Sequence, residues 1–213
     1  MQFFIILIIA LLPLSVQAQA KTSPPSQSMP TTVAASTTVP VVPFYSQFAD
    51  ITSTTWQKVG CGVTSLAMII DYYTSTVSVD TLLNQGIAAG AYLQSAGWTY
   101  KGLIELANNY GLSGSSYDLA GMSNKNALAE FTAYVQGGPV IASIHYKFDP
   151  ASTIPHLVVI NAIKDGVVYY NDPAAKTGNK TISIANFQKG WKKRFIVIRP
   201  TKNIGAVAHT SRA

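Results

Sequence analysis

The chain contains one cysteine, Cys61, within the stretch GCGVTSLAMIIDYY at residues 60–73. Apolar residues recur after it at the spacing of an amphipathic helix, so Cys61 is predicted to stand at a helix N-terminus. The partial positive charge there favours a thiolate, and the unpaired backbone N–H groups can donate to a developing oxyanion. Gly60 and Gly62 are predicted to allow a tight turn and the close approach of a substrate backbone. This pattern favours a nucleophile, although a lone cysteine with apolar neighbours is also typical of a protein core.

Two polar residues far downstream are candidates for the partners that a nucleophilic cysteine needs. His156 follows a proline at the start of the predicted strand HLVVINAI, near a sheet edge, where an imidazole can act as a general base. Asp172 ends the next predicted strand, GVVYYND, where a carboxylate can orient that imidazole. His145, in the middle of a strand, is the rival base and is predicted to be structural. Asn171 is the alternative orienting residue, because an amide can also hold an imidazole.

The turn between these two strands decides whether His156 can reach Asp172. In a three-residue loop over residues 164–166, Ile163 pairs with Val167. His156 and Asp172 then become diagonal neighbours on one face, about 7–8 Å apart between backbones. A two-residue turn would shift the register by one and put the two side chains on opposite faces. The sequence therefore predicts the three-residue loop or an equivalent bulge.

Composition limits the class of protein. The 213 residues, 48% of them hydrophobic, are enough for one domain with a substantial core. The net charge of +6 is not clustered, since the one dense basic stretch, residues 189–194, is broken by Gly190 and Trp191. No nucleic acid partner is therefore expected, while association with an anionic cell envelope is allowed. A single cysteine cannot form an internal disulfide, and no other Cys or His lies at ligand spacing from Cys61, so neither a metal nor an organic cofactor is expected.

The first 20 residues are typical of a secretory signal peptide. An apolar run is followed by small residues, which predicts cleavage after Ala18 or Ala20. The run is too short to cross a bilayer comfortably, so no membrane span is expected once it is removed. The predicted location is outside the cell, in a periplasm or at the cell envelope.

The rest of the chain divides into a linker, one domain and a tail. Residues 21–40 are rich in Ser, Thr and Pro and are predicted to be disordered, and residues 201–213 form a flexible tail. Residues 41–200 form the domain, beginning with an edge strand over residues 41–45. Helices are predicted at Cys61 and after the N-cap candidates Ser78, Thr99 and Ser123. Strands follow Pro139, in PVIASIHYKF, HLVVINAI, GVVYYND, KTISI and RFIVIRP. The fold class is therefore α+β, with N-terminal helices packed on a C-terminal antiparallel sheet.

Five stretches carry a family resemblance when they are taken in order. They are Tyr45-Ser46-Gln47, GCGVTSLAMIIDYY, GGPVIASI, HLVVINAI and VVYYNDPA. Together they resemble the bacteriocin-processing (double-glycine leader) cysteine peptidases and their stand-alone secreted or envelope relatives, within the papain-like superfamily. The resemblance covers residues 41–200, nearly the whole predicted domain.

The resemblance implies a papain-like fold and a role for each site residue. Cys61 would be the nucleophile, His156 the general base and then acid, and Asp172 the residue that orients the imidazole. A glutamine upstream of the cysteine would complete the oxyanion hole. Gln47 is the predicted residue, with Gln57 as its rival, because Gln47 is farther from the cysteine than is common in the superfamily. The resemblance also suggests Trp191 as a shield for a catalytic hydrogen bond.

The function expected from the sequence is that of a secreted papain-like cysteine peptidase. It would hydrolyse peptide bonds of a peptide or protein substrate through a Cys-His-Asp triad and an acyl-enzyme. Two alternatives stay open. One is a peptide-binding module of the same fold without turnover, and the other is an acyl or amide transferase or a cell-wall amidase.

Overall fold

The computed structural model describes residues 38–94 and 96–201 of the chain. The predicted signal peptide (1–20), the predicted linker up to residue 37 and the predicted tail from residue 202 lie outside the described residues. Within the described residues, no helix is both long enough and apolar enough to cross a membrane.

The described residues form six α-helices, eight β-strands and one 3-10 turn. The helices are α1 (Thr54–Gln57), α2 (Cys61–Tyr73), α3 (Val79–Ala88), α4 (Tyr100–Asn108), α5 (Asn124–Gln136) and α6 (Ile184–Gly190). The strands are β1 (Tyr92–Leu93), β2 (Gly97–Trp98), β3 (Leu112–Asp118), β4 (Val140–His145), β5 (Pro155–Lys164), β6 (Val167–Asn171), β7 (Lys180–Ser183) and β8 (Trp191–Pro200). The 3-10 turn, Tyr146–Phe148, follows β4 directly.

Six strands form one antiparallel sheet in the order β3-β8-β4-β5-β6-β7, and β1 pairs with β2 in a separate two-stranded sheet. Helices α2, α3 and α4 pack on one face of the large sheet, against residues such as Val159 and Ile196. Helices α5 and α6 pack on the other face, against residues such as Val158 and Phe195. Neighbouring residues of a strand point to opposite faces, so the central strands are apolar at nearly every position. The predicted α+β class is confirmed, with helices on both faces of the sheet.

The predicted helix starts are confirmed at the level of single hydrogen bonds. The hydroxyls of Ser78, Thr99 and Ser123 each accept an N–H three residues farther along, at the beginning of α3, α4 and α5. Each such cap stabilises a helix by about 1 kcal/mol. Helix α2 begins at Cys61, as predicted, but its N-cap is Gly60 and no side chain caps it. The N–H groups of its first turn are therefore not taken up by a capping oxygen.

The predicted edge strand over residues 41–45 is wrong, because this segment is not a strand. Pro43 has no N–H to contribute to a ladder. The carbonyl oxygens of Val42 and Pro43 instead accept hydrogen bonds from the side chain of Asn171. Strand β3 and helix α6 are elements that the sequence patterns did not predict.

The predicted three-residue loop between β5 and β6 is also wrong. Lys164 pairs with Val167, which leaves a two-residue turn of Asp165 and Gly166. Both turn residues have positive φ, 50° and 78°, as a type I′ hairpin turn requires.

A bulge at Asn161 restores the register that the shorter turn removes. On the turn side of the bulge Ala162 pairs with Tyr169, and beyond it Ile160 pairs with Tyr170. Between these two pairs β5 advances by two residues and β6 by one. The equivalent bulge that the sequence allowed is the one that forms.

Candidate active site

One cleft of about 650 Å³ brings together most of the residues predicted to do chemistry. Cys61, His156 and Gln47 all line it. Helix α2 supplies the cysteine, β5 supplies the histidine, and the segment before α1 supplies the glutamine. Asp172 does not line the cleft, but its carboxylate is hydrogen-bonded to the His156 imidazole.

Cys61 is the first residue of α2 and is half-buried. The buried face of α2 packs on β5, where the Ser65 hydroxyl donates to the carbonyl oxygen of Leu157 at 3.4 Å. This packing sets the cysteine beside the start of β5, close enough to the His156 imidazole to help raise the pKa of that ring.

The two glycines that flank Cys61 are required by the packing around the start of α2. Gly60 has φ −77°, which any residue can adopt, and a Cβ there would collide with the side chain of Ile51. Gly62 is buried, and a Cβ there would lie 2.7 Å from the side chain of Trp98. The indole of Trp98 lies across this end of α2 and donates through Nε1 to the carbonyl oxygen of Val59 at 2.8 Å.

His156 is the second residue of β5, so it lies at the start of a strand, as predicted, and that strand is an interior one between β4 and β6. Its side chain is only 4% exposed. Nε2 lies 2.6 Å from Oδ1 of Asp172, which leaves Nδ1 for the thiol of Cys61. The ring of Tyr146 contacts the imidazole edge-on, with ring centroids 5.3 Å apart and planes at 84°.

The ionisation of this pair follows from its surroundings. Burial alone would lower the pKa of His156, but the hydrogen bonds and charges of Asp172 and Cys61 outweigh it and raise the pKa from 6.5 to about 9. Burial also favours the neutral acid of Asp172. The hydrogen bond and charge of His156, helped by the Ala174 N–H and the charge of Lys180, nevertheless hold the pKa of Asp172 below 3.8. At neutral pH the pair is therefore an imidazolium hydrogen-bonded to a carboxylate.

Asp172 is held by hydrogen bonds to residues that follow it in the chain. Its Oδ1 accepts the Ala174 N–H at 2.8 Å, and its carbonyl oxygen accepts the Ala175 N–H. The carboxylate thus sits in a turn that begins where β6 ends, which fixes its direction toward His156.

Gln47 and Gln57, the two candidates for the oxyanion hole, lie in different places. Gln47 lines the cleft and is 4% exposed, whereas Gln57 does not line it and donates through Nε2 to the carbonyl oxygen of Ile51 at 2.8 Å. Nε2 of Gln47 donates to the Gln57 carbonyl oxygen at 2.7 Å. That bond fixes the amide orientation, because a flipped amide would set two oxygens against each other. The second N–H of Gln47 Nε2 has no hydrogen-bond partner among the described residues.

The rival and accessory residues named from the sequence lie away from the cleft. Nδ1 of His145 donates to the carbonyl oxygen of Ser152 at 2.8 Å, in keeping with a structural role. Trp191 is buried among Phe131, Phe187 and Phe195, so the suggestion that it shields the site is wrong. The aromatic side chain against the imidazole is instead Tyr146.

The cleft carries positive charge and apolar surface. Lys58, Lys192 and Arg194 line it, and no acidic residue does so among the described residues. Arg194 is paired with Asp118, Nε to Oδ2, at 2.8 Å. Phe48 adds an exposed apolar side chain to the same cleft.

Two buried asparagines near the site received little or no role from the sequence. Asn171 was considered only as a substitute for Asp172, and Asn161 was not considered. Asn161 Nδ2 donates to Asn171 Oδ1 at 3.3 Å, at the bulge that sets the strand register. The available signal was two asparagines inside strands that are otherwise apolar and aromatic, where buried amides are costly unless they are hydrogen-bonded.

The described part of the chain holds no group of three or more His, Cys, Asp or Glu side chains placed to bind a metal ion.

Solved structures of similar fold come from peptidases. A putative C39-like peptidase from Bacillus anthracis matches with a TM-score of 0.54 and 23% identity, covering 73% of this chain and 92% of that one. A double glycine motif protease from an AMS/PCAT transporter, in complex with the leader peptide, matches with a TM-score of 0.52 and 23% identity, covering 76% and 93%. At this identity the two matches establish the fold, an α+β papain-like fold shared with these peptidases.

Two sequence comparisons extend this result. YvpB, an uncharacterized protein of Bacillus subtilis (strain 168), is 28% identical over 165 residues, 63% of this chain. The match spans 65% of the length of that protein. The model of the Peptidase_C39 like family matches residues 40–195. Because that match covers most of the chain, the protein belongs to the Peptidase_C39 like family.

Proposed function

We propose that this protein is a secreted cysteine peptidase that hydrolyses peptide bonds through Cys61, His156 and Asp172. The observation that carries the proposal is the placement of Cys61 and His156 in one cleft, with Oδ1 of Asp172 2.6 Å from Nε2 of the imidazole. Membership of the Peptidase_C39 like family supports the same reaction. The apolar run and small residues within residues 1–20 support export, and the family match supports a peptidase domain over residues 41–200.

The reaction follows the positions of these groups. His156 already carries its proton as an imidazolium at neutral pH, and the Cys61 thiolate paired with it attacks the carbonyl carbon of the scissile bond. The backbone N–H of Cys61 and the remaining N–H of Gln47 donate to the oxyanion. His156 then gives its proton to the leaving amine. The neutral imidazole takes a proton from water, which hydrolyses the thioester and restores the thiolate–imidazolium pair.

A peptide is the substrate class that the cleft favours. The cations Lys58 and Lys192 have no acidic partner in the cleft, so peptides with an acidic side chain near the scissile bond should bind better than neutral ones. Double-glycine leader peptides belong in the test set, because the structurally similar transporter protease was solved with its leader peptide.

The test compares the full-length secreted form with its Cys61→Ser variant on a diverse peptide library, read by mass spectrometry. Loss of all cleavage in the variant is expected, and equal cleavage by both proteins would exclude Cys61 as the nucleophile. Adding a primary amine separates hydrolysis from transfer, since an amine adduct of the acyl product would indicate a transferase.

Thiol alkylation separates an enzyme from a binding module. The chain has one cysteine, so iodoacetamide reports on Cys61 alone. A thiol activated by His156 should react at pH 6 much faster than free cysteine. A rate equal to that of free cysteine would favour a module that binds peptides without turnover.

A further inference from the structure

Asn171, the last residue of β6, takes part in four side-chain hydrogen bonds. It is 0% exposed. Its Nδ2 donates to the carbonyl oxygens of Val42 and Pro43, each at 3.1 Å. Its Oδ1 accepts the Asn179 N–H at 2.7 Å and Nδ2 of Asn161 at 3.3 Å. One side chain thus joins three other segments, of which residues 42–43 are far away in sequence.

The first joined segment is the one that carries Gln47. The Asn171 amide holds residues 42–43, and a few residues later the Gln47 N–H donates to the carbonyl oxygen of Pro173 at 2.8 Å. Asp172 lies between these two ties. The carboxylate that orients the imidazole and the amide proposed for the oxyanion hole therefore share one anchor.

The second joined segment is the β5 bulge. The bulge at Asn161 sets the register that puts Asp172 on the same face as His156. Asn161 is 1% exposed, and its Oδ1 has no hydrogen-bond partner among the described residues. A buried amide with an unpaired oxygen is unfavourable compared with an apolar side chain. Its one bond, to Asn171, ties the bulge to the residue beside Asp172.

We propose that Asn171, assisted by Asn161, is a positioning residue that fixes Asp172 and Gln47 relative to His156 and Cys61. This inference rests on the proposed function. Neither asparagine lines the cleft, so both act through other residues. Catalytic groups tolerate little displacement, since an error of about 1 Å can cost about 100-fold in rate.

The test uses Asn171→Ala, Asn161→Ala and a control, Val168→Ala, in the full chain. Val168 is buried in β6 and contacts the other face's core, so its truncation destabilises the same strand while leaving the asparagines intact. All proteins are studied at a temperature where circular dichroism shows that they are folded. The readouts are the pH profile of iodoacetamide alkylation at Cys61, and kcat and KM for a peptide cleaved by the wild type.

Positioning predicts a pattern that simple destabilisation does not. Asn171→Ala should lower kcat about 10- to 100-fold with KM changed by less than about threefold, and it should reduce alkylation below pH 7. Asn161→Ala, which removes a single 3.3 Å hydrogen bond, should lower kcat about 3- to 10-fold. Val168→Ala should lower Tm but keep the wild-type kcat and alkylation profile.

Folded asparagine variants with the wild-type alkylation profile and kcat would overturn the inference. If Asn171→Ala does not fold, the milder Asn161→Ala decides in the same way. If the wild type cleaves no peptide, the proposed function fails, and the alkylation profiles still decide whether the asparagines position Asp172 and His156.

Discussion

Replacement of Asp172 by Asn tests the electrostatic core of the site. The change keeps the size of the side chain and an acceptor oxygen near Nε2 of His156, but it removes the charge 2.6 Å from the ring. The wild-type imidazole has a pKa of about 9 despite burial that favours its neutral form. At pH 7 a group with that pKa is about 99% protonated. Without the carboxylate, only Cys61 still opposes the effect of burial, so we expect the pKa of His156 to fall to about 6.5.

The size of the effect on the thiol follows from this shift. With a pKa of 6.5, only about a quarter of the imidazole is charged at pH 7, a fourfold loss of the imidazolium that pairs with the thiolate. Iodoacetamide alkylation of Cys61 at pH 7 should therefore slow by about fourfold or more. Peptide hydrolysis should fall further, because the misoriented imidazole also transfers protons less well.

Two measurements test the predicted effects of Asp172→Asn. Titration of the assigned imidazole resonances by NMR gives the pKa of His156 directly, with His156→Gln identifying its signals. Alkylation rates from pH 5 to 10 give the reactivity of the thiol. Asp165→Asn is a matched control, since this residue lies in the exposed hairpin turn at a positive φ that asparagine accepts. A pKa of His156 in Asp172→Asn within about 0.5 of the wild-type value would refute the assignment of Asp172 as its support.

Three further predictions address separate parts of the site. Gln47→Ala should lower kcat about 100- to 1000-fold while alkylation of the thiol stays near normal. An equal loss of kcat in Gln57→Ala would contradict the assignment of Gln47 as the oxyanion donor. Gly62→Ala should lower the free energy of unfolding by about 1–3 kcal/mol, because its Cβ would lie 2.7 Å from Trp98. Urea melts measure this, and a stability equal to the wild type would contradict the packing argument. The raised pKa of His156 adds stability that is fully present below pH 6.5 and is lost as the pH rises through about 9. His156→Gln should remove this slope from urea melts at pH 6–10, and an unchanged slope would show that other groups cause it.

The parts of the fold that sequence patterns predicted are those with local causes. Ser78, Thr99 and Ser123 were identified as caps because a hydroxyl just before an apolar periodic run acts within one turn of helix. Strand β3 was missed because its sequence, LSGSSYD, lacks alternation. It is a strand because it pairs along its whole length with β8, which lies far downstream.

The β5–β6 hairpin contains one feature with a local sequence signal, the turn, and one without, the bulge. Asp165-Gly166 is a strong signal for a two-residue turn, and the turn forms as that signal predicts. The bulge at Asn161 has no such signal, since it results from the pairing of two strands and from a bond to Asn171. The bulge was predicted only because His156 must reach Asp172, since no local sequence pattern indicates it.

The candidate site was predicted by residue type more readily than by position. A lone thiol, a histidine and an aspartate in the expected order identify Cys61, His156 and Asp172 as candidates. Gln47 was preferred to Gln57 from the family resemblance, and the structure adds that Gln47 lines the cleft whereas Gln57 does not. The contact that holds the Gln47 amide is made to a main-chain carbonyl, which leaves no local signal in the sequence.

The start of α2 shows why a departure from good helix design indicates function. Helices α3, α4, α5 and α6 each have a Ser or Thr hydroxyl that accepts an N–H of the first turn. Helix α2, the most buried of the helices, has Gly60 at that position and no capping side chain. A side chain at position 60 would collide with Ile51, and a capping oxygen would also reduce the positive potential beside Cys61. An uncapped N-terminus keeps that potential for the thiolate and leaves the N–H groups free for the oxyanion, so packing and the proposed chemistry both favour glycine at this position.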